Sequence, residues 1–283
     1  MVRVIVITFI VTLVAGMPVA FVLGISAAVA LAVWGRTPML VIAQRMFTGI
    51  DQFPLMAIPF FILAGEMMNT GGITRGLLRF SDALVGHIRG GLAQVNIVAS
   101  MLFAGITGAA VADTSALGSI LIPAMIEEGY DVDFSAAVTA ASSVVGPIIP
   151  PSIPAVIYAV TAGISIGGLF LAGFAPGILF GLGMMVVAYF ISKKRGYPRR
   201  ETPITLRQFL DTFKRAVLAL VMPLIILGGV LSGIFTPTEA AAIAVAYGLV
   251  VGLFITRELK LKDLPGIMIR AGLTTSMILL VVA

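Results

Sequence analysis

Cysteine is absent from the chain, and histidine occurs once, as His87. The first absence removes disulfides, thiol nucleophiles and cysteine-based metal sites. The second removes most chemistry that needs an imidazole base or ligand. Charge is scarce as well: 11% of the residues are Asp, Glu, Lys or Arg, where a soluble globular domain carries about 25%. With 59% hydrophobic residues and a mean hydropathy of +1.12, the chain lacks the polar surface that water requires, so its solvent is lipid. The net charge of +5 does not point to nucleic acid, because in such a chain lysine and arginine mark cytoplasmic loops. A cleavable signal peptide is not evident, since the first apolar run continues past the ~7–15 residues of a signal core.

Glycine and proline are plentiful, at 31 and 15 residues. That is too many for plain lipid-embedded rods and points to helices that are broken, kinked or closely packed. A spanning helix needs ~20 apolar residues. Apolar segments fall at roughly 3–16, 19–34, 52–69, 134–162, 167–192, 216–232, 236–255 and 264–283. The first two could form one kinked helix, because Gly16-Met17-Pro18 leaves little room for a turn. Stretches 36–50 and 73–90 are amphipathic and read as interfacial helices. Residues 193–215 form a basic loop with Lys193, Lys194, Arg195, Arg199, Arg200, Arg207, Lys214 and Arg215. Such a loop belongs in the cytoplasm, and so does the one with Arg257, Lys260 and Lys262.

The sequence starts again near residue 217. Gly16-Met17-Pro18 followed by an alanine-rich apolar helix matches Gly233-Ile234-Phe235-Thr236-Pro237 followed by Glu239–Leu249. Gln44–Gly49 matches Met268–Gly272 in the same way. The topology gives the matched helices opposite directions, and inverted repeats are a transporter signature with the binding site where they meet. The expected organisation is then scaffold and arm helices of the first repeat over 1–90, a transport part over 91–162, the last helix of that repeat with the basic loop over 163–215, and the start of a second repeat over 216–283. On this alignment Ala283 matches about Leu63 to Gly65, so the second repeat is expected to be incomplete and the chain a truncated product.

Two elements carry candidate chemistry. In 91–127 the run from Leu102 to Thr114 is small, polar and glycine-containing at its centre. Its arms, ~20 Å each at 1.5 Å per residue, are short for a ~30 Å hydrocarbon core but suit a hairpin that enters the membrane and returns. Glycine permits the tight tip backbone. Carbonyls freed there suit an alkali cation, and Thr107, Thr114 and Ser115 add hydroxyls. The helix from about Asp113 directs its positive end inward, where it attracts an anion or is capped by Asp113 itself. In the second element, Ser142–Pro154, four prolines fall within eight residues, which uninterrupted helix does not tolerate. A helix broken at Gly146–Ser152 in mid-membrane must line a polar or protein-buried site. Ser142 and Ser143 lie at the end of its first half and Ser152 opens the second. Other polar residues read as structural: Glu66 as interfacial, Trp34 as a helix-end aromatic, His87 as an interface residue, and Thr236-Pro237-Thr238-Glu239 as a capping box.

At these elements the chain resembles a family. The runs MLFAGITGAAVADTSALGSILIPAM and GYDVDFSAAVTAASSVVGPIIPPSIPAVIYA, together with GIDQFPLMAIPFFILAGEMM, SIGGLFLAGFAPGIL and GIFTPTEAAAIAVAYGL, are similar to the large membrane subunit of tripartite ATP-independent periplasmic (TRAP) transporters. The resemblance covers essentially the whole chain. It implies an all-α integral membrane protein of the bacterial inner membrane, an inverted-repeat elevator-type transporter with a reentrant helical hairpin and a broken helix. It also implies symport driven by a sodium gradient, with sodium as the coupling ion and no cofactor. The implied partners are a small four-helix membrane subunit and a periplasmic binding protein that delivers an organic acid, a C4-dicarboxylate, sialic acid or similar.

Candidate sodium ligands are Thr107, Gly108, Ala109, Ser142, Ser143 and Gly146; candidate substrate residues are Asp113, Thr114, Pro150, Pro151 and Ser152. Where the family commonly has Ser-Gly-Ser at the tip, this chain has Thr107-Gly108-Ala109, which removes the third side-chain hydroxyl and leaves its carbonyl. Two other readings are an intramembrane enzyme, for which the serine–histidine or paired-acid arrangement is wanting, and a non-transporting scaffold.

Overall fold

The computed structural model describes residues 1–199 and 206–283. Every regular element among them is helical: α1 Val2–Val14, α2 Val19–Trp34, α3 Leu40–Ile50, α4 Ala57–Thr70, α5 Ile73–Val85, α6 Gly91–Thr107, α7 Ala110–Glu127, α8 Val132–Ser143, α9 Ile153–Ala162, α10 Ile166–Arg195, α11 Leu206–Leu231, α12 Pro237–Val250 and α13 Leu264–Val282. Five helical stretches are long and apolar enough to cross a bilayer: Phe53–Thr70, Ala110–Glu127, Ile166–Arg195, Pro237–Ile255 and Leu261–Val282. The described chain forms two compact units, residues 1–55 with 272–283 and residues 56–271.

In the first unit α1 and α2 are separate helices packed on each other, not one kinked helix. Gly16 at φ +80° takes a left-handed turn that a helix cannot pass through, and Pro18 is extended before α2 starts. The same device recurs within the second unit. Between α11 and α12, Gly233 at φ +73° breaks the helix and Pro237 opens the next. There Thr236 accepts from the Glu239 amide, and the Glu239 carboxylate accepts from the Thr236 amide at 2.7 Å, which is the capping box read from the sequence.

The second unit is built around α4. Its buried side chains, Ile58, Phe61, Met67 and Met68 among them, pack on α12. That helix offers the small residues Ala240, Ala241, Ala244 and Gly248, so the two backbones approach closely, as lipid-embedded pairs do. Helix α5 does not lie free in the interface. Its apolar face, Ile73, Leu77 and Phe80, is covered by α6 and α11, with Phe80 5.9 Å from Phe209 and 5.7 Å from Phe213 between ring centres. The basic stretch expected as a loop over 193–215 is shorter than that: Lys193–Arg195 form the last turn of α10, where cations favour the helix's negative end, and α11 has begun by Leu206. Arg200 of that stretch lies outside the described residues. Glu66 is ion-paired with Arg270 at 2.9 Å.

At the end of α10 a polar cluster ties three elements together. Asp131 accepts from the Tyr197 hydroxyl and from Arg195, both at 2.7 Å, while the Tyr197 ring packs tilted against Tyr130 and Phe134, with ring centres 4.5 and 5.1 Å away. The Tyr197 hydrogen bond, and after it the Arg195 guanidinium, hold the Asp131 carboxyl below its usual range. A depressed carboxylate stabilises the fold above its unfolded value of about 3.9 and loses that contribution as pH falls through the folded value. Asp131→Asn is therefore expected to lower the thermal midpoint near pH 7 and to lower it less near pH 3. An equal loss at both pH values would show that the charge is not what matters.

Candidate functional site

Helices α6 and α7 are joined by only Gly108 and Ala109, so residues 91–127 form a helical hairpin with its tip at Thr107–Ala109. Gly108 ends α6 in a left-handed conformation, φ +60°, and its amide donates to the Ala104 carbonyl at 3.1 Å. Ala109 is extended and starts α7. Helix α8 stops at Ser143, and residues 144–152 run as turns with a cis Pro150–Pro151 bond before α9 begins at Ile153. Ser152 caps α9: its hydroxyl donates to the Pro147 carbonyl at 2.5 Å and accepts from the Ala155 amide at 3.2 Å. The hydroxyl thus ties the two ends of the break together.

The tip and the break meet. The Ile153 amide donates to the Gly108 carbonyl at 3.4 Å. A methyl group on Gly108 would overlap the Pro151 carbonyl and lie 3.1 Å from the Ser152 Cα. At the other end of the break, a methyl group on Gly146 would lie 3.5 Å from the Ala109 carbonyl carbon and 3.5 Å from the Ala110 nitrogen. At Gly108 glycine is what lets two stretches of backbone touch, whereas at Gly146 an added methyl group would make ordinary van der Waals contact with the tip. Four helix ends converge as a result. The C-termini of α6 and α8, at Thr107 and Ser143, carry partial negative charge; the N-termini of α7 and α9, at Ala110 and Ile153, carry partial positive charge. A junction of this kind can hold a cation and an anion side by side.

Side chains add to it unevenly. Thr107 is buried, and its Oγ1 has no hydrogen-bond partner among the described residues. Asp113 is 0% exposed, and neither carboxylate oxygen has a hydrogen bond among the described residues. Ser100 and Ser143 face it, but their protons are committed, to Ser142 Oγ at 3.0 Å and to the Thr139 carbonyl at 2.8 Å. Asp113 does not cap α7, because it is the fourth residue of the helix and the residue before the first turn is Ala109, with no side-chain cap; the negative charge still favours the first turn. Thr114 turns back on its own helix, donating to the Ala110 carbonyl at 2.9 Å. Among the sequence-derived candidates, then, Gly108 is brought onto Pro151 and Ser152, Ala109 onto Gly146, and Asp113 onto Ser143. Pro150 and Pro151 contribute backbone at the break, and Thr114 is engaged locally.

Two features were not read from the sequence. A buried polar ladder runs between α6 and α8: Asn96 Nδ2 donates to Thr139 Oγ1 at 2.6 Å, and Ser142 lies within hydrogen-bond reach of Asn96 and Ser100. Its signal was available as polar residues at helical spacing on both helices, Asn96 and Ser100 on α6 and Thr139 and Ser142 on α8. The second feature is a glycine stripe on α10, Gly173, Gly177 and Gly181, where a methyl group would meet the Ile148 carbonyl at 2.6 Å, overlap Ile149, and overlap Met101. The stripe seats the broken segment and α6 against α10, the close approach that small residues at this spacing permit. Among the described residues no cluster of His, Asp or Glu suits a transition metal, so any ion here is held by hydroxyls, carbonyls and single carboxylates.

Comparison with known proteins agrees with this architecture. A family model described as the DctM component of tripartite ATP-independent periplasmic transporters matches residues 6–283. The sialic acid TRAP transporter large permease protein SiaM of Vibrio cholerae is 46% identical over 95% of this chain and 62% of its own length. The isethionate TRAP transporter permease protein DctMQ of Oleidesulfovibrio alaskensis is 44% identical over 96% of this chain and 43% of its own length. The C4-dicarboxylate TRAP transporter large permease protein DctM of Pseudomonas aeruginosa is 39% identical over 92% of this chain and 61% of its own length. The chain thus spans about two-fifths to three-fifths of the length of these relatives.

Proposed function

The chain belongs to the DctM family, the large permease component of tripartite ATP-independent periplasmic transporters, and on that premise we propose that it takes part in sodium-driven import of an organic acid. It is an all-α multi-pass protein of the inner membrane and a transport component, not an enzyme. The observation that carries the sodium reading is the set of buried oxygens without partners at the junction, Thr107 Oγ1 and both oxygens of Asp113. Leaving such atoms unpaired costs ~1–3 kcal/mol each, more for a charge, and a bound cation offsets that cost. Thr107, Gly108 and Ala109 at the tip and Ser142, Ser143 and Gly146 at the break supply hydroxyls and carbonyls, the hard oxygen donors that sodium prefers.

Asp113 sits better with this set than with the substrate, since it faces Ser143 and its charge repels an organic anion. The anion itself is assigned to the α7 and α9 N-termini, near Thr114, Pro150, Pro151 and Ser152. Its class, an organic acid, rests on relatives named for sialic acid, isethionate and C4-dicarboxylates. A small four-helix membrane subunit and a periplasmic binding protein complete the proposed system. The matching glycine–proline breaks between α1 and α2 and between α11 and α12 support the inverted repeat that elevator motion requires.

The test is uptake. A large subunit of the relatives' full length that contains these 283 residues is reconstituted in proteoliposomes with a small membrane subunit and a binding protein loaded with labelled organic acid. Accumulation is expected under an inward sodium gradient and not under an equal potassium gradient. Accumulation that ignores sodium would refute the coupling.

A further inference from the structure

Beyond the transport junction, the structure has a cationic cleft that the transport reading leaves unused. It lies where the turn after α5 meets the end of α10, has a volume of about 330 Å³, and is lined by His87, Ile88, Arg89, Tyr189, Lys193 and Arg199. Among the described residues its cations make one tie, from Arg199 Nε to the His87 carbonyl at 3.2 Å. Among the described residues neither Arg89 nor Lys193 has an ion pair, whereas nearby Arg195 is held by Asp131 and Asp133. Three cations converging with no carboxylate paired to them among the described residues repel one another, and an anion between them relieves that repulsion.

The wall of the cleft says which anion. Leu182, Val186, Tyr189 and Lys193 follow one another at spacings of four, three and four residues, so they share one face of α10. Leu182, Val186 and Tyr189 are 49%, 55% and 37% exposed. An apolar track of ~16 Å, eleven residues at 1.5 Å each, therefore runs along a spanning helix and ends in the cationic cleft. A free phosphate has no use for the track, and an acyl chain does. Basic pockets between helices at a membrane surface are suited to anionic headgroups. We infer that this cleft is a binding site for an anionic phospholipid, with the headgroup phosphate between Arg89, Lys193 and Arg199 and an acyl chain along Leu182, Val186 and Tyr189.

The test uses the 283-residue chain, purified in detergent and stripped of lipid. It is titrated with phosphatidylglycerol or phosphatidylcholine, with and without excess inorganic phosphate, and bound lipid is counted by native mass spectrometry. A phosphatidylglycerol adduct is expected, with phosphatidylcholine much weaker and inorganic phosphate a poor competitor. The triple variant R89Q/K193Q/R199Q is expected to bind phosphatidylglycerol about a hundredfold more weakly, at roughly a fivefold loss per cation, while Lys194→Gln, outside the cleft, keeps the parent affinity. The charge-keeping variant R89K/R199K is expected to retain binding and guards against a folding defect in the triple variant. Equal binding of the two lipids, parent-like binding by the triple variant, or displacement by inorganic phosphate would overturn the proposal. So would a photocrosslinker at position 189 that captures a polypeptide in native membranes instead of lipid.

Discussion

Replacing Gly108 by valine is expected to be among the most damaging single changes in the chain. Two effects add at this position. The backbone is left-handed at φ +60°, which costs an L residue roughly 1–2 kcal/mol, and the new side chain meets the Pro151 carbonyl, an overpacking worth about 1–3 kcal/mol. Gly129 supplies the control. It has φ +89° but nothing within 4 Å of an added Cβ, so Gly129→Val carries the backbone strain alone. In detergent, Gly108→Val should lower the thermal midpoint clearly more than Gly129→Val does. It should also abolish any response to sodium, which Gly129→Val should keep. Equal losses from the two variants would mean that the contact between tip and break is not holding the site.

Gly173→Leu is expected to act on the same junction from outside it. An added Cβ there lies 2.6 Å from the Ile148 carbonyl, and the obstacle is backbone, which cannot turn aside as a side chain can. The broken segment must shift off α10, at a cost of about 1–3 kcal/mol or more, and its register against the hairpin tip shifts with it. Gly183 lies on the same helix with nothing within 4 Å, so Gly183→Leu should leave both stability and sodium response near the parent's. The readout is the pair of measurements used for Gly108. A Gly173→Leu protein indistinguishable from Gly183→Leu would remove the glycine stripe from the account.

The breaks in the helices were legible in the sequence, and most of their partners were not. Gly108 and the prolines around Pro150 announce interrupted helix through local chemistry, a left-handed turn and missing amide donors. The Thr236–Glu239 box is equally local and was found where the structure has it. What a side chain faces across space is a different matter. The sequence allows Asp113 as a cap because it stands near a helix start, and one turn of difference in that start makes it a buried carboxylate facing Ser143 instead. The pattern of α5 fits an interfacial helix because amphipathicity states that a face is covered without stating by what; α6 and α11 cover it. The charge of the basic stretch after Ser192 suggests a loop, yet Lys193–Arg195 close a helix, as cations do at a C-terminus. The α6–α8 ladder and the α10 stripe depend on pairs far apart in sequence, such as Asn96 with Thr139 and Gly173 with Ile148, and no local pattern names such partners.

The central claim is that the meeting point of hairpin tip and broken helix holds sodium, and sodium-dependent thermal stabilisation of the purified chain tests it most directly. The unfolding midpoint is followed as sodium chloride replaces potassium chloride at constant ionic strength. A ligand that binds only the folded state raises stability with the logarithm of its concentration above its dissociation constant. The midpoint should therefore climb with sodium. Thr107→Ala and Asp113→Asn should each shift the sodium concentration required upward by about tenfold, the equivalent of ~1.4 kcal/mol for one lost ligand. A midpoint identical in sodium and potassium, or two variants with the parent's sodium dependence, would contradict the account.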